Sequence, residues 1–289
     1  MQTFGVVYVA YGAPYLAMAI TSLLSLRVTN PNVPVCVVTN VVPDAPQRDW
    51  WRPSDQWVFL GEETETNRNA KTGIYHLSPF DLTLFLDCDT MVLGDLSPIS
   101  GYLEYFDVLL SAVYNPDPNP KRKILGGKYR YTVDGHFNGG VFAFRRGIEV
   151  EQFFTLWNDR FHALGYRLDQ PALVEAYFLS KAHMFPLPPK WNSGDKWADR
   201  SGARKEIVVW HYKTRPEPLV RELIQKAAGW FGGTQQHLDA TSQFLRNRRN
   251  HRSPRWLLWR LVLKIRGEQS QRLKKHANND KWLKWISEP

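Results

Sequence analysis

The sequence has little cysteine and no long apolar run. Two of its 289 residues are cysteines, Cys36 and Cys88, and they form no CxxC pair. This argues against a disulfide framework and fits a reducing compartment. No apolar stretch reaches the ~18 residues of a membrane-spanning helix, and a strand-like run begins at Phe4 with no basic leader before it. We therefore expect a cytoplasmic protein without a signal peptide or a transmembrane helix.

A glycine-rich phosphate loop is also missing. The first predicted strand, residues 4–9, runs into Ala10-Tyr11-Gly12-Ala13-Pro14, which has no GxGxxG pattern. This argues against an NAD-type dinucleotide fold. A helix over residues 14–27 and a strand over 33–39 are predicted next, with Pro14 in the first helical turn. This β–α–β opening predicts a right-handed crossover between parallel strands.

A net positive charge is missing from the chain outside its C-terminal segment. Residues 245–289 hold thirteen Lys or Arg against three acids, whereas the rest of the chain holds 24 basic and 25 acidic residues. We therefore predict a domain over residues 1–244 and a basic, Trp-rich extension over 245–289. Residues 255–266 and 281–285 mix Trp and Leu with basic side chains, which suits an interfacial helix on an anionic membrane surface. A helix docked on the domain would show the same pattern.

Two acids follow a predicted buried strand. Residues 83–86 are apolar and end abruptly in Asp87-Cys88-Asp89. In an extended chain residues i and i+2 face the same side, so Asp87 and Asp89 would face one point while Cys88 faces away. Paired carboxylates at a strand end suit Mg²⁺ or Mn²⁺, with water and phosphate oxygens as further ligands. A solvated turn would also place Asp here.

Three later segments carry candidate polar groups. Phe137-Asn138-Gly139-Gly140 precedes an apolar run, and its glycines permit close approach of a ligand or simply a hairpin turn. Asp169-Gln170-Pro171 begins a helix, where an N-cap role would explain the Asp. A strand over residues 207–210 delivers His211-Tyr212-Lys213. His211 is a candidate third metal ligand, and Lys213 would lie on the same side if the chain is extended.

The remaining elements follow from shorter patterns. Strands are predicted at residues 57–60 and 105–113, and helices at 70–76 and 149–164. The Pro- and Lys-rich segment 115–123 is predicted to be an irregular loop, either a lid or disordered.

Together these segments resemble the GT-A type nucleotide-sugar glycosyltransferases, especially glycosyltransferase family 8 with its glycogenin-like and bacterial lipopolysaccharide members. The matching landmarks span roughly residues 4–215 in the family's order: VYVAYG, Lys71, SPFDLTLFLDCDT, FNGGVFAFRR, DQPAL, KWN and WHYK. The resemblance implies a Rossmann-like α/β fold, a mixed but mostly parallel sheet flanked by helices, here with a basic helical C-terminal extension. The late signature departs from the family, because Tyr212 replaces a Gly after the His.

The resemblance also implies roles for particular residues. Asp87, Asp89 and His211 would bind Mn²⁺ (or Mg²⁺), which holds the diphosphate of a UDP-sugar donor. Donor-binding roles would fall to Val9, Ala10 and Tyr11 for the base, to Lys71 for ribose or phosphate, and to Lys213 for phosphate. Sugar-facing, catalytic roles would fall to Asn138, Asp169 and Gln170. The acceptor would be a glycan, a lipid-linked sugar or a protein, and the anomeric configuration would be retained.

Two other functions compete with this interpretation. A sugar-1-phosphate nucleotidyltransferase shares the acidic pair at a strand end, but it should carry a Gly-rich basic loop after the first strand. A nucleic-acid-binding protein with a basic arm would explain residues 245–289. The near-neutral charge of residues 1–244 argues against that and predicts no nucleic-acid partner. Inversion also stays open, with Asp169 as the base.

Overall fold

The computed structural model describes residues 2–41, 51–61, 66–112, 137–163, 165, 169–194, 207–213, 216, 218–230 and 235–247. Its strands are β1 (Phe4–Ala10), β2 (Val35–Thr39), β3 (Gln56–Phe59), β4 (Leu82–Leu86), β5 (Thr90–Val92), β6 (Val108–Ala112), β7 (Phe137–Arg145), β8 (Met184–Leu187) and β9 (Val209–His211). Its α-helices are α1 (Ala13–Thr29), α2 (Asn67–Thr72), α3 (Ile74–Leu77), α4 (Pro98–Tyr105), α5 (Ile148–Ala163), α6 (Asp169–Leu179), α7 (Pro218–Trp230) and α8 (Gln235–Asn247). None of the helices described is long and apolar enough to cross a membrane.

Seven strands form the central sheet in the order β3-β2-β1-β4-β7-β6-β8. The first four are parallel to one another, β7 is antiparallel to both neighbours, and β6 and β8 are parallel. β5 and β9 form a separate antiparallel pair. This confirms the predicted mixed, mostly parallel sheet. The parallel register sets the carboxyl ends of β1 and β4 at the same edge.

Two apolar layers cover the sheet, as the period-2 alternation of β1 requires. Val6 and Tyr8 face the layer that contains α1, α4, α7 and α8. Val7 and Val9 face the layer that contains α2, α3, α5 and α6. Aromatic side chains fill much of the second layer, and Trp157 of α5 is fully buried there. The core therefore lies on both sides of one sheet, with its helices fixed by burial of their apolar faces.

Several predicted boundaries change. α1 begins at Ala13 after Gly12, whose φ of 82° is a conformation that favours glycine. The predicted helix over 70–76 is two short helices, α2 and α3, joined at Gly73. The predicted strand over 105–113 was wrong at its start, because Tyr105 ends α4.

The last helix described, α8, extends beyond the predicted domain boundary at residue 244. α8 continues to Asn247, and Leu245 beyond residue 244 is buried in the same core as α1. Its carbonyl accepts a hydrogen bond of 2.5 Å from Arg221 of α7. The predicted loop at 115–123 and the Trp-rich segments at 255–266 and 281–285 lie outside the described residues.

Candidate metal and donor site

The acidic pair lies in a turn directly after β4. Cys88 is buried and its thiol donates to the carbonyl of Val9 at 2.9 Å, so it points away from the two acids as predicted. The amide of Asp87 donates to the carbonyl of Gly140 at 2.7 Å. The prediction that Asp87 and Asp89 share a side is confirmed, although a turn rather than extended chain brings them together.

His211 reaches the acids because β9 pairs with β5. Thr90 is the register partner of His211, and the amide of Tyr212 donates to the carbonyl of Asp89 at 3.1 Å. The Nε2 atom of His211 lies 3.1 Å from Asp89 Oδ1 and 3.9 Å from Asp87 Oδ2. One ligand atom from each of the three residues lies within 4.8 Å of the others. The carboxyl ends of β4 and β9 therefore lie next to each other.

This cluster fits a divalent metal ion by its donor chemistry. Two carboxylates and one imidazole suit Mn²⁺, and the carboxylates also suit Mg²⁺. Within the described ranges it is the one such group of three potential ligands. The Asp87 side chain is 29% exposed, against 11% for Asp89 and 5% for His211. A ligand would therefore approach the cluster from the side of Asp87.

A buried lysine joins the acidic pair to a third acid. Lys71 of α2 places its Nζ 2.8 Å from Asp87 Oδ1 and 3.1 Å from Asp169 Oδ2. Arg68, one turn earlier and exposed, lies 4.0 Å from the other oxygen of Asp169. Asp169 is the first residue of α6, so its carboxylate lies beside the positive end of that helix. The sequence predicted Lys71, Asp87 and Asp169 as site members, but it predicted neither Arg68 nor the ion pairs.

Two glycines of β7 make room for these contacts. A Cβ on Gly139 would lie 2.8 Å from Asp169 Oδ2. A Cβ on Gly140 would lie 2.4 Å from His211 Cε1 and 2.8 Å from Asp87 Oδ2. A Cβ atom at either position would have to displace these side-chain atoms. Glycine therefore allows Asp169, His211 and Asp87 to lie directly against β7. The hairpin-turn interpretation of this segment was wrong, because both glycines lie within a strand.

The charges of the cluster shift one another's proton affinities. Burial raises the pKa of Asp87, and the positive charge of Lys71 only partly opposes this. Burial also disfavours the charged form of Asp89, but His211, a backbone hydrogen bond and Lys71 together outweigh burial and hold the pKa of that carboxyl below its usual value. Burial alone would lower the pKa of His211, but the Asp89 and Asp87 carboxylates together outweigh burial and raise it. Asp87 and Asp89 thus differ in proton affinity although they are neighbours.

The predicted base-binding residues lie at the end of β1, beside this cluster. Val9, Ala10 and Tyr11 are buried. The amide of Tyr11 donates to Asn67 Oδ1 at 2.7 Å, and that of Gly12 donates to Asn40 Oδ1 at 2.8 Å. These two asparagines, which the sequence analysis missed, fix the backbone where β1 ends.

The other predicted residues are placed less uniformly. Asn138 is half-buried in β7, and Gln170 is half-buried beside Asp169 in α6. Lys213 is exposed and has a φ of 51°, so the expectation of an extended chain from His211 to Lys213 was wrong. Its positive charge opposes, without reversing, the rise in the pKa of His211 that the Asp89 and Asp87 carboxylates cause.

Asn192 is a member of the site that sequence reasoning missed. Its Oδ1 lies 2.8 Å from His211 Nδ1, and its Nδ2 donates to Asn138 Oδ1 at 2.9 Å. The segment KWN was noted only as a landmark. A short 3₁₀ turn over Pro189–Trp191 delivers the side chain, and no local pattern indicates where that turn points.

Comparison with known proteins adds information through structure alone. The sequence matches no protein-family model and no curated protein. A structure of the galactosyltransferase LgtC, in complex with donor and acceptor sugar analogues, is similar with a TM-score of 0.52 at 15% identity, covering 82% of this chain and 99% of LgtC. The bifunctional glycosyltransferase WbbM is similar with a TM-score of 0.55 at 15% identity, covering 86% of this chain.

The glycosyltransferase GlyE of Streptococcus pneumoniae TIGR4 is similar with a TM-score of 0.53 at 16% identity, covering 88% of this chain. The chain spans 52% of the length of WbbM and 66% of that of GlyE. All three similar structures are of glycosyltransferases. At these identities the likeness concerns the fold, and the chain has the GT-A fold that its sequence predicted.

Proposed function

We propose that the chain is a metal-dependent glycosyltransferase that moves a sugar from a nucleoside-diphosphate donor, UDP in the first instance, to a glycan, lipid-linked or protein acceptor. The observation that supports this most directly is the convergence of Asp87, Asp89 and His211 at the sheet edge where β1 also ends. In open α/β sheets, ligands bind at the carboxyl ends of the strands.

Three candidate metal ligands and Lys213 would offset the negative charge of the leaving group, and Lys71 would hold the acids of the site in place. Asp87, Asp89 and His211 would hold Mn²⁺ or Mg²⁺, which when bound supplies Lewis-acid stabilisation to a departing diphosphate. Lys213, exposed just after β9, would offset phosphate charge. Lys71 holds Asp87 and Asp169 at fixed distances from one another through its two ion pairs. Val9, Ala10 and Tyr11 would face the base.

The sugar would lie near Asn138, Asp169 and Gln170. Their oxygens would stabilise an oxocarbenium-like transition state, as carboxylates do in other glycosyl transfers. We propose retention of configuration. Asp169 is paired with Lys71 and has a side chain only 10% exposed, which supports an electrostatic role rather than that of a base for an acceptor hydroxyl.

A nucleotidyltransferase is not favoured by any described feature. The turn after β1 is held by Asn67 and Asn40 and carries no basic residue between Ala10 and Pro14. The structures similar to this chain are glycosyltransferases.

The proposal is tested by measuring turnover of a panel of UDP-, GDP-, ADP- and TDP-sugars with and without Mn²⁺. We expect release of a nucleoside diphosphate from one donor only when Mn²⁺ or Mg²⁺ is present, and NMR of the product should show a retained anomeric configuration. Release of pyrophosphate from sugar-1-phosphate and a nucleotide would instead identify a nucleotidyltransferase. Metal-independent turnover, or none with any donor, would contradict the proposal.

We also propose that the basic C-terminal segment attaches the protein to the inner face of the membrane, near a membrane-bound acceptor. The charge excess of residues 245–289 supports this. Because Leu245 is buried and α8 ends at Asn247, the deletion that tests it should remove residues 248–289 and spare α8. We expect the shortened protein to lose co-sedimentation with liposomes rich in phosphatidylglycerol. Equal binding of the full-length and the shortened protein would reject the proposal.

A further inference from the structure

Three side chains form a hydrogen-bonded relay that ends on His211. The relay begins at the backbone amide of Gly140, which donates to Asn138 Oδ1 at 2.8 Å. A backbone N–H can only donate, so the atom of Asn138 that faces it must be the carbonyl oxygen. The amide group of Asn138 therefore has one permitted orientation.

The orientation of Asn192 follows from that of Asn138. An amide atom of Asn192 lies 2.9 Å from the Asn138 oxygen and must be the NH₂ group, because two oxygens would leave no donor. The other amide atom, Oδ1, then lies 2.8 Å from His211 Nδ1. An oxygen can only accept, so Nδ1 of His211 must carry a proton.

Backbone hydrogen bonds hold the last two residues of this relay, Asn192 and His211, next to each other. The amide of Ser193 donates to the carbonyl of Val209 at 3.0 Å, and the amide of His211 donates to the carbonyl of Ser193 at 2.9 Å. Asn192 and His211 are therefore fixed next to each other. The imidazole is 5% exposed, so water has little access to replace the amide contact.

We propose that Asn192 is a positioning residue: by accepting the Nδ1 proton of His211 it leaves Nε2, the atom that faces Asp87 and Asp89, with its lone pair for a metal ion. The opposite amide orientation would present NH₂ to Nδ1 and place the single proton of a neutral imidazole on Nε2, which would block coordination. The Gly140–Asn138 bond prevents that orientation. The inference rests on the proposed metal-dependent function for its purpose, although the relay itself does not.

Two variants of Asn192 separate orientation from bulk packing. Asn192→Leu removes both hydrogen bonds, and we expect Mn²⁺ affinity, measured by calorimetry, to fall by about ten- to a hundredfold, the usual loss for a residue that orients a metal ligand. Asn192→Asp keeps an acceptor for Nδ1–H and loses only the bond to Asn138. It should bind Mn²⁺ within about threefold of the wild type, as carboxylate–His–metal arrangements do.

The wild-type protein gives a readout that needs no variant. With Zn²⁺ as a diamagnetic probe, ¹⁵N-correlated spectra should show His211 protonated at Nδ1 and unprotonated at Nε2, and the Nδ1 proton should persist in metal-free protein. The signal is assigned by its loss in His211→Gln. Should Asn192→Leu fail to fold, these spectra and Asn192→Asp decide the matter.

The failure of the relay and the failure of the proposed function look different. An unprotonated Nδ1, or equal Mn²⁺ affinities of the wild type and Asn192→Leu, would overturn the relay even if the enzyme is active. Equal losses in the Leu and Asp variants would overturn it too. If the wild type binds no divalent cation, the metal-dependent function fails, whereas a persistent Nδ1 proton would still support the relay.

Discussion

Two groups of buried charged side chains in the described part of the chain differ in how completely their charges are paired. The first joins Asp55 to Arg27 of α1, with side chains 0% and 7% exposed. Asp55 also accepts from the amide of Val35 at 2.8 Å and from that of Arg52 at 2.6 Å. One carboxylate thus meets one guanidinium and two amides, and the group ties α1 to the beginning of β2.

The second group, at the sheet edge, is not balanced. Asp87 and Asp89 share one ammonium group, that of Lys71, with Asp169 and otherwise face an imidazole, while the exposed guanidinium of Arg68 lies 4.0 Å from Asp169. One of those carboxylates, Asp87, is 29% exposed, and burial raises its pKa. Unbalanced negative charge at a partly open position is what a cation can stabilise. Burial is common to both groups, so charge balance and access distinguish the binding site from the structural brace.

The largest expected effect is on catalysis and comes from Asp89→Asn in the second group, which we call the open group because Asp87 is partly exposed. Loss of a carboxylate ligand should reduce Mn²⁺-dependent kcat/KM by about a thousandfold, corresponding to about 4 kcal/mol of transition-state stabilisation. The free energy of unfolding without metal should change little by comparison, since relief of the crowding among three carboxylates offsets the lost pairing of Asp89 with His211. Kinetics with the donor found in the screen, and urea unfolding in EDTA, measure the two quantities. An active variant would contradict the assignment.

The matched change in the first group, the closed pair of Arg27 and Asp55, is Asp55→Asn. Its effect should be a loss of stability. It leaves the Arg27 guanidinium buried against a neutral amide, which costs about 3–5 kcal/mol when a buried ion pair is broken. Urea unfolding should show this loss, while the kcat/KM of the protein that remains folded should equal that of the wild type. A variant as stable as the wild type would remove the contrast between the two groups.

A smaller effect is expected from Gly140→Ala, which leaves every charge in place. The new methyl group would lie 2.4 Å from His211 Cε1 and 2.8 Å from Asp87 Oδ2, so it must displace both. Mn²⁺ affinity should fall by about tenfold or more, by analogy with other changes that disturb ligand orientation.

The control is Gly101→Ala in α4, where a Cβ would meet nothing within 4 Å. An exposed helical Gly→Ala change should stabilise the protein by up to about 1 kcal/mol and leave Mn²⁺ binding unaltered. Equal Mn²⁺ affinities in both alanine variants would show that the cluster tolerates crowding and would weaken the geometric argument.

The sequence predicted the fold and a candidate metal site because both depend on where strands end. Apolar runs identify buried strands, and in a parallel sheet their carboxyl ends share an edge. Asp87 and Asp89 were therefore predictable as candidate ligands from their position, and His211 was predictable only as a polar residue at the end of a late strand. The sequence could not show that β9 pairs with β5 instead of joining the central sheet, because that depends on non-local hydrogen bonds.

Residues that act through irregular backbone were not predictable. Asn192 follows a 3₁₀ turn and Lys213 has a positive φ, so neither periodicity nor the spacing of two residues gave their directions. Asp55 was missed for a different reason. It lies in a polar stretch typical of a surface loop, and only the tertiary structure brings it to Arg27.

The smallest effect expected is a pH dependence confined to the open group. The pKa of His211 is raised, since its pairing with Asp89, together with the charge of Asp87, outweighs burial. In metal-free protein this pairing stabilises the fold fully below the unfolded pKa of about 6.5, and the stabilisation is lost as pH rises through the folded pKa.

Mn²⁺ must displace the Nε2 proton, so its affinity should change in the opposite sense. It should rise about tenfold per pH unit up to the folded pKa and then level off. Mn²⁺ titrations followed by EPR, with unfolding of metal-free wild type and His211→Gln at each pH, measure both trends. Parallel trends, or none, would show that His211 is not a ligand that exchanges a proton for the metal.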